Sequence, residues 1–597
     1  MEGFRIDEKY LSQIPALQLL VSLGYRYLTP AEVSAARGGK TSNVLLDEIL
    51  RDQLKTMNRI QHKGRSFRFS EENIQSAVQR LKNVKYDGVL KTNEAVYDLL
   101  TLGAALEQSV EGDQKSFTLH YVDWRHPENN VYHVAMEFAV ERTRSAETCR
   151  PDIVLFVNGI PFVVIECKSP NVDVSEAVSQ MIRNQRDEYI PRLFPYVQMV
   201  LGVNKNEARY ATTGTAARFW SKWKEEIPPA ALEPLLAAPM PEALKAVLFD
   251  RLYRPVEIRD GEPARRVTEQ DRVLYALCRR ERLLEMIWSF TVFDAGVRKI
   301  ARYQQVNAIQ KVLRRIKETD ESGRRRGGII WHTQGSGKSL TMVMLARALA
   351  LDPAIRNPRI ILVTDRIDLD LQLHNTFAAC GLAPERADSG RTLVRLLSDD
   401  KAHIVTTLVH KFDRALNHKL LRDDSRDIFV LVDETHRTQL GIFAARMRQM
   451  FPNACYIGFT GTPLLTRKKS DVARFGGVID TYAIDQALAD GAIVPLLYEG
   501  RMVELEQNQS AIDVWFERHT RGLTRKQQAD LKKKYARAEM LNKTEQVIYM
   551  RAFDISEHYR CNWQGTGFKA QLVAPSKAAA LRYKEFFDEL GSVTSEV

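Results

Sequence analysis

Residues 327–341 read GGIIWHTQGSGKSLT, and no other stretch limits the possible folds so sharply. A short apolar run (Ile329, Ile330, Trp331) leads into a polar, glycine-spaced loop, and Gly337-Lys338-Ser339 then opens an apolar helical stretch. That order predicts a strand, a phosphate-cradling loop and a helix N-terminus. Gly335 and Gly337 let backbone N–H groups approach phosphate, Lys338 reaches the β and γ oxygens, and the Ser339 hydroxyl suits Mg2+. His332 departs from the pattern G-x-x-x-x-G-K-[ST] by standing where its first glycine would be. A chance glycine-rich turn before a helix is the competing reading, and the rest of the chain decides between them.

Downstream, apolar runs end repeatedly in polar groups: PRIILVTD (358–365), AHIVTT (402–407), IFVLV (428–432) before Asp433-Glu434-Thr435-His436, and 454–459 before Thr460-Gly461-Thr462. Short apolar strands alternating with helices predict a parallel sheet with ligands at its C-terminal edge. Asp433 at such a strand end suits the Mg2+ that Ser339 also touches, and Glu434 suits orienting or deprotonating an attacking water.

A second chemical signal lies upstream, in PDIVLFVNGIPFVVIECKSP (151–170). Two apolar strands flank the turn dipeptide Asn158-Gly159. Asp152 starts the first strand, while Glu166 and Lys168, two apart, share a face near the end of the second. Ionisable groups on such apolar strands are costly unless they meet each other, a metal or water. Two carboxylates hold a divalent metal, and a neighbouring lysine stabilises or deprotonates a water nucleophile. Register sharpens the expectation. A plain two-residue turn pairs Asp152 with Ile165 and sends Asp152 and Glu166 to opposite faces, so the site requires an odd-residue loop or a bulge, which Pro161 favours because it interrupts simple pairing. Polar residues at strand ends are the bland alternative.

Around these signals, residues 1–105 read as helices (10–24, 45–61, 70–82) and 117–215 as an α/β core, with strands at 196–203 and 208–213. The Pro/Ala-rich stretch 225–242 reads as an irregular insertion or an exposed helical excursion, 243–300 as helices and 568–574 as a strand. The expected organisation is an α/β multidomain chain: 1–260, 261–468 and 469–597. Its 597 residues exceed one core. The formal charge of +11 favours a polyanionic partner, although a generic solubilising charge is not excluded by it. Six cysteines without a CxxC pair suggest reduced thiols of a cytoplasmic protein. No apolar run reaches membrane-spanning length and the first residues lack a signal-peptide core, so no membrane partner is expected.

The hairpin resembles the PD-(D/E)xK nucleases, with Asp152, Glu166 and Lys168 at the matching positions. Some of those nucleases carry a Q-x-x-x-Y pair that contacts DNA. Gln185 and Tyr189 fit it, Gln180 is the other register with Asn184 in the tyrosine's place, and a solvated helix face fits equally well. The 302–462 blocks resemble superfamily 2 helicases and translocases with RecA-like lobes. Lys338 and Ser339 match motif I, Asp365 and Arg366 lie in the motif Ia region, and Asp433 to His436 form a variant DEAD/DEAH box. Thr460 and Thr462 fall in motif III, and Gln305 matches the glutamine that reads adenine.

Together the blocks resemble the restriction (R) subunit of type I restriction–modification enzymes. That resemblance implies ATP and Mg2+ as cofactors, ATP-driven translocation and cleavage of double-stranded DNA. It also implies a DNA methyltransferase subunit and a specificity subunit as partners. It leads to the expectation of a fragment, whose second RecA-like lobe is incomplete and whose loop binds ATP without efficient hydrolysis. The competing readings are a helicase–nuclease of DNA repair or phage defence working without a methyltransferase, and an ATP-gated DNA-binding module with an inert nuclease.

Overall fold

A computed structural model describes residues 8–248, 265–399, 403–412, 422–433, 447–462, 475–500, 521–529 and 545–597. Glu434 and His436 lie outside the described residues. The chain forms two compact units, Met1–Val494 and Pro495–Val597.

Among the described residues the larger unit holds two large sheets and four two-stranded ones. The first has six strands in sequential spatial order: β1 (Arg26–Tyr27), β2 (Tyr132–Met136), β3 (Ile153–Val157), β4 (Ile160–Cys167), β5 (Met199–Val203) and β6 (Ala208–Ala211). β2, β3 and β4 run antiparallel to one another, whereas β4 and β5 are parallel. Every residue of β3 and β4 is buried, as their unbroken apolar sequence requires of central strands covered on both faces. Helix α1 (Ile14–Ser22) continues a π turn at Lys9–Gln13. Helices α2 (Gly88–Leu102) and α3 (Val174–Asn184) complete the surroundings of the site. α3 starts at Asp173, whose carboxylate caps the Ser175 N–H, and buries Val174, Ala177, Val178 and Met181 at helical spacing. The stretch 225–242, expected as an irregular insertion or an exposed helical excursion, contributes the helix Pro229–Ala237, with Leu232 and Leu236 buried.

The second sheet is wholly parallel. Its strands are β7 (Gly328–His332), β8 (Arg359–Thr364), β9 (Glu385–Arg386), β10 (Ile404–Leu408), β11 (Ile428–Asp433), β12 (Cys455–Thr460) and β13 (Val478–Tyr482). Their spatial order is β9-β10-β8-β11-β12-β7-β13. Helices α4 (Tyr303–Arg315), α5 (Lys338–Leu351) and α6 (Ile367–Ala379) accompany it.

Two expectations need correction. The division placed after residue 468 falls too early, because β13 pairs along β7 and so completes this sheet. In the smaller unit, helices α7 (Glu545–Asn562) and α8 (Lys577–Leu590) pack through Ile548, Ala552, Tyr583 and Phe587, but 568–574 is not a strand. A strand needs a neighbour to satisfy its backbone, and the described residues of this unit supply none.

Candidate active sites

The β3–β4 hairpin turns at Asn158 (φ 52°) and Gly159 (φ 79°), with Ile160 opposite Val157. A two-residue turn with both φ positive favours Asn-Gly for this reason. Asn158 is locked in place by donating to Tyr121 O (2.9 Å) and Asn130 Oδ1 (2.8 Å) and accepting from Val131 N (2.9 Å). The register then slips. Pro161 faces Phe156 but Val163 faces Leu155, so Phe162 is an extra, bulged residue. Beyond it Ile165 faces Ile153, and the next step sets Glu166 beside Asp152 on one face. Of the two devices expected, an odd-residue loop or a bulge, the protein uses the bulge, and it brings the two carboxyls together.

Both are buried: Asp152 is 6% and Glu166 0% exposed. Asp152 Oδ2 accepts the Cys167 N–H at 2.7 Å and Oδ1 accepts Gln13 Nε2 at 3.0 Å. Glu166 accepts from Gln180 Nε2 (2.8 Å) and Asn184 Nδ2 (3.1 Å). Each carboxyl also bears on the other's protonation. Burial pushes Asp152 up to about 6. Burial, and then the Asp152 charge, hold Glu166 well above the usual carboxylate range. Lys168 reaches Glu8 Oε2 at 3.5 Å, and its charge lowers both carboxyls.

A hard divalent cation fits this donor set, since it would neutralise two neighbouring buried carboxyls whose charged forms burial disfavours. Among the described residues no group of three His, Cys, Asp or Glu side chains is arranged to hold a metal. Backbone, amide or solvent oxygens would therefore complete the coordination.

The helix register is resolved. Gln180 and Asn184, four apart on α3, point at Glu166, whereas Gln185 donates to Met181 O (3.1 Å) and accepts from Gly214 N (2.7 Å). Tyr189 lies under the Arg142 and Arg183 guanidiniums, 4.9 and 5.5 Å from its ring centre.

At the second site, β7 runs into the loop and Gly337 caps α5 with φ 89°. A Cβ there would sit 2.9 Å from Gln305 Nε2. Lys338 Nζ donates to His332 O at 3.3 Å, and Lys338 and Ser339 are half-buried. His332 tolerates the glycine position because its ring turns away from the loop, meeting Asp480 Oδ2 on β13 at 2.8 Å. β12 separates β7 from β11, with Trp331 level with Thr460 and Phe459 level with Asp433. Asp433 and the loop thus end at one edge, two strand spacings or about 10 Å apart. Gln305 packs against the loop. Its oxygen accepts from Arg302 N (2.9 Å) and its Nε2 donates to Gly337 O (3.1 Å) and Thr341 Oγ1 (3.3 Å), so it braces the loop. Thr460 is buried and bonds the Thr462 N–H, and Thr462 is exposed. Asp365 and Arg366 lead into α6, the arginine exposed.

Residues 5–219 match the family model described as the type I restriction enzyme R protein N terminus, and residues 304–529 match the SWI2/SNF2 ATPase. A putative type I restriction enzyme endonuclease subunit of Methanocaldococcus jannaschii is 28% identical over 97% of this chain and 54% of its own. The HindI endonuclease subunit of Haemophilus influenzae is 29% identical over 96% and 53%. The chain resembles the endonuclease subunits of type I restriction enzymes. It spans about half the length of these relatives. A solved nuclease-deletion mutant of the Type ISP restriction-modification enzyme LlaGI, bound to a DNA substrate mimic, is 16% identical over 49% of this chain and 29% of its own, with a TM-score of 0.26.

Sequence reasoning missed Gln13 and Glu8. Their signal was present as polar residues on the apolar face of the first helix, where Ser12, Gln13 and Gln18 interrupt Ile14, Leu17 and Leu20.

Proposed function

We propose that the chain is the motor and endonuclease subunit of a type I restriction–modification complex, an ATP-dependent translocase that cuts double-stranded DNA with Mg2+. The observation that carries this reading is the Phe162 bulge, which sets Asp152 beside Glu166 upstream of a phosphate loop. A surface accident would not bury two carboxyls on central strands and surround them with Gln13, Gln180 and Asn184.

In the nuclease, Asp152 and Glu166 hold the cation and Lys168 orients or deprotonates the water. Gln180 and Asn184 fix Glu166. When bound, Mg2+ would stabilise charge on the scissile phosphate. In the motor, Lys338 and the loop N–H groups bind the ATP phosphates, Ser339 and Asp433 hold its Mg2+, and Glu434 activates water. Asp365, Arg366 and Thr462 face DNA in this reading, as does Tyr189, while buried Thr460 holds the Thr462 N–H. The sequence-specificity and methyltransferase subunits are partners, and the complex acts in the cytoplasm. Among the described residues no helix is long and apolar enough to cross a membrane.

The test is Mg2+-dependent cleavage of plasmid DNA by wild type and Asp152→Ala, each with ATP and the partner subunits. Loss of cutting in the variant, with ATP hydrolysis retained, is expected. Equal background activity in both rejects the nuclease assignment.

A further inference from the structure

Three polar side chains lie on the buried face of the first helical segment: Ser12, Gln13 and Gln18. Leaving a buried polar atom unpaired costs about 1–3 kcal/mol, so each needs an account. Ser12 has one, because its hydroxyl donates to Gln270 Oε1 (2.6 Å) and its carbonyl accepts Gln270 Nε2 (3.0 Å). Gln18 reaches only the backbone carbonyls of Leu236 and Ala238, at 3.4 Å; its Oε1 is unpartnered too, but the side chain meets no charged group. Gln13 differs. It is 4% exposed, its Nε2 donates to Asp152 Oδ1, and its Oε1 has no hydrogen-bond partner among the described residues. It also closes the π turn Lys9–Gln13, a rare backbone form that recurs at functional sites.

We infer that the Gln13 side-chain amide is an additional oxygen ligand of the divalent cation held between Asp152 and Glu166. The inference rests on the nuclease reading and extends its metal site to the first helix. In the metal-free protein the amide N–H stabilises Asp152. A half-turn of the amide exchanges two atoms of equal size and presents the oxygen instead. Hard cations accept such amide oxygens. A neutral ligand adds no charge to two carboxylates already in conflict. Glu8, the other newcomer, is held by Lys168.

The experiment is calorimetric titration of the full chain with Mn2+, without DNA or ATP, for wild type, Asp152→Asn, Gln13→Ala and Gln13→Glu. Gln13→Ala weakens Mn2+ binding about threefold to tenfold. Gln13→Glu tightens it by a similar factor, an effect that simple disruption of packing would not produce. Wild-type affinity in both Gln13 variants, with binding lost in Asp152→Asn, overturns the inference and leaves the nuclease reading standing. Unchanged binding in Asp152→Asn overturns both.

Discussion

Asp152 and Glu166 are the residues at which burial and chemistry conflict. The folded protein raises the Asp152 pKa to about 6, above its ordinary value of 3.8, chiefly through desolvation. The sign follows from linkage. An acid with a raised folded pKa binds its proton more tightly when folded, so this contribution to stability is complete below pH 4 and is lost as pH rises through 6. Asp152→Asn removes the penalty, and without metal the variant should be more stable than wild type by about 1–3 kcal/mol at pH 8. Near pH 4 the advantage should vanish. Thermal melts in EDTA at both pH values check this, and a variant no more stable at pH 8 contradicts it. Lys338 poses the simpler case. It is half-buried, and its ammonium donates to the His332 carbonyl. Lys338→Ala should therefore weaken ATP about tenfold or more without moving the melting temperature. Wild-type ATP affinity would remove Lys338 as the phosphate lysine.

The β3–β4 hairpin depends on a backbone that only glycine supplies easily. At Gly159, φ is 79° and an added Cβ would lie 2.7 Å from Leu46 O, a backbone atom that cannot swing aside. Gly159→Ala should cost about 1–3 kcal/mol, read from the urea midpoint, whereas an unchanged midpoint would mean that the turn relaxes freely. This hairpin also shows what was legible in the sequence. Its strands, its turn and even the need for an odd-residue loop or a bulge followed from alternation and from the cost of splitting two carboxyls. The same was true of the parallel sheet, because buried parallel strands are continuous apolar runs. Gln13 was not legible, since helical periodicity says which face is buried but not which distant strand it meets. Nor was β13, whose half-polar sequence VIDTY has no strand signature until β7 provides an edge. The strand expected at 568–574 failed for the converse reason: an apolar run without a neighbour.

Across the larger unit, the region after residue 265 joins the two sheets through one polar knot. Arg298, on the hairpin 291–300, is fully buried, donates to Asn93 Oδ1 and Gln198 Oε1 at 2.6 Å each, and lies over the Tyr97 and Phe293 rings. Burial lowers its pKa to about 10, still leaving it charged at neutral pH. Asn93, on α2, donates in turn to the carbonyls of Phe194, Pro195 and Val197, just before β5, the neighbour of β4. From the other side Arg347, near the end of α5, donates to Tyr97 Oη at 2.7 Å and Thr291 O at 2.9 Å. The helix that starts at the phosphate lysine therefore ends against α2, nine residues or about 13 Å along its axis. Removing Arg298 strands two amide oxygens in the interior and opens a cavity between the sheets, at a cost of about 3–5 kcal/mol. Each sheet keeps its own hydrogen bonds while one apolar cluster runs through both, so the loss falls on the polar part of their mutual support. Arg298→Ala should thus split the calorimetric endotherm of residues 8–494 into two transitions, where wild type gives one. Arg298→Lys, which keeps the charge but not the fork that serves Asn93 and Gln198 together, should split it as well. A single endotherm in both variants, merely shifted to lower temperature, would mean that the two sheets are held together by apolar packing and that the knot is dispensable.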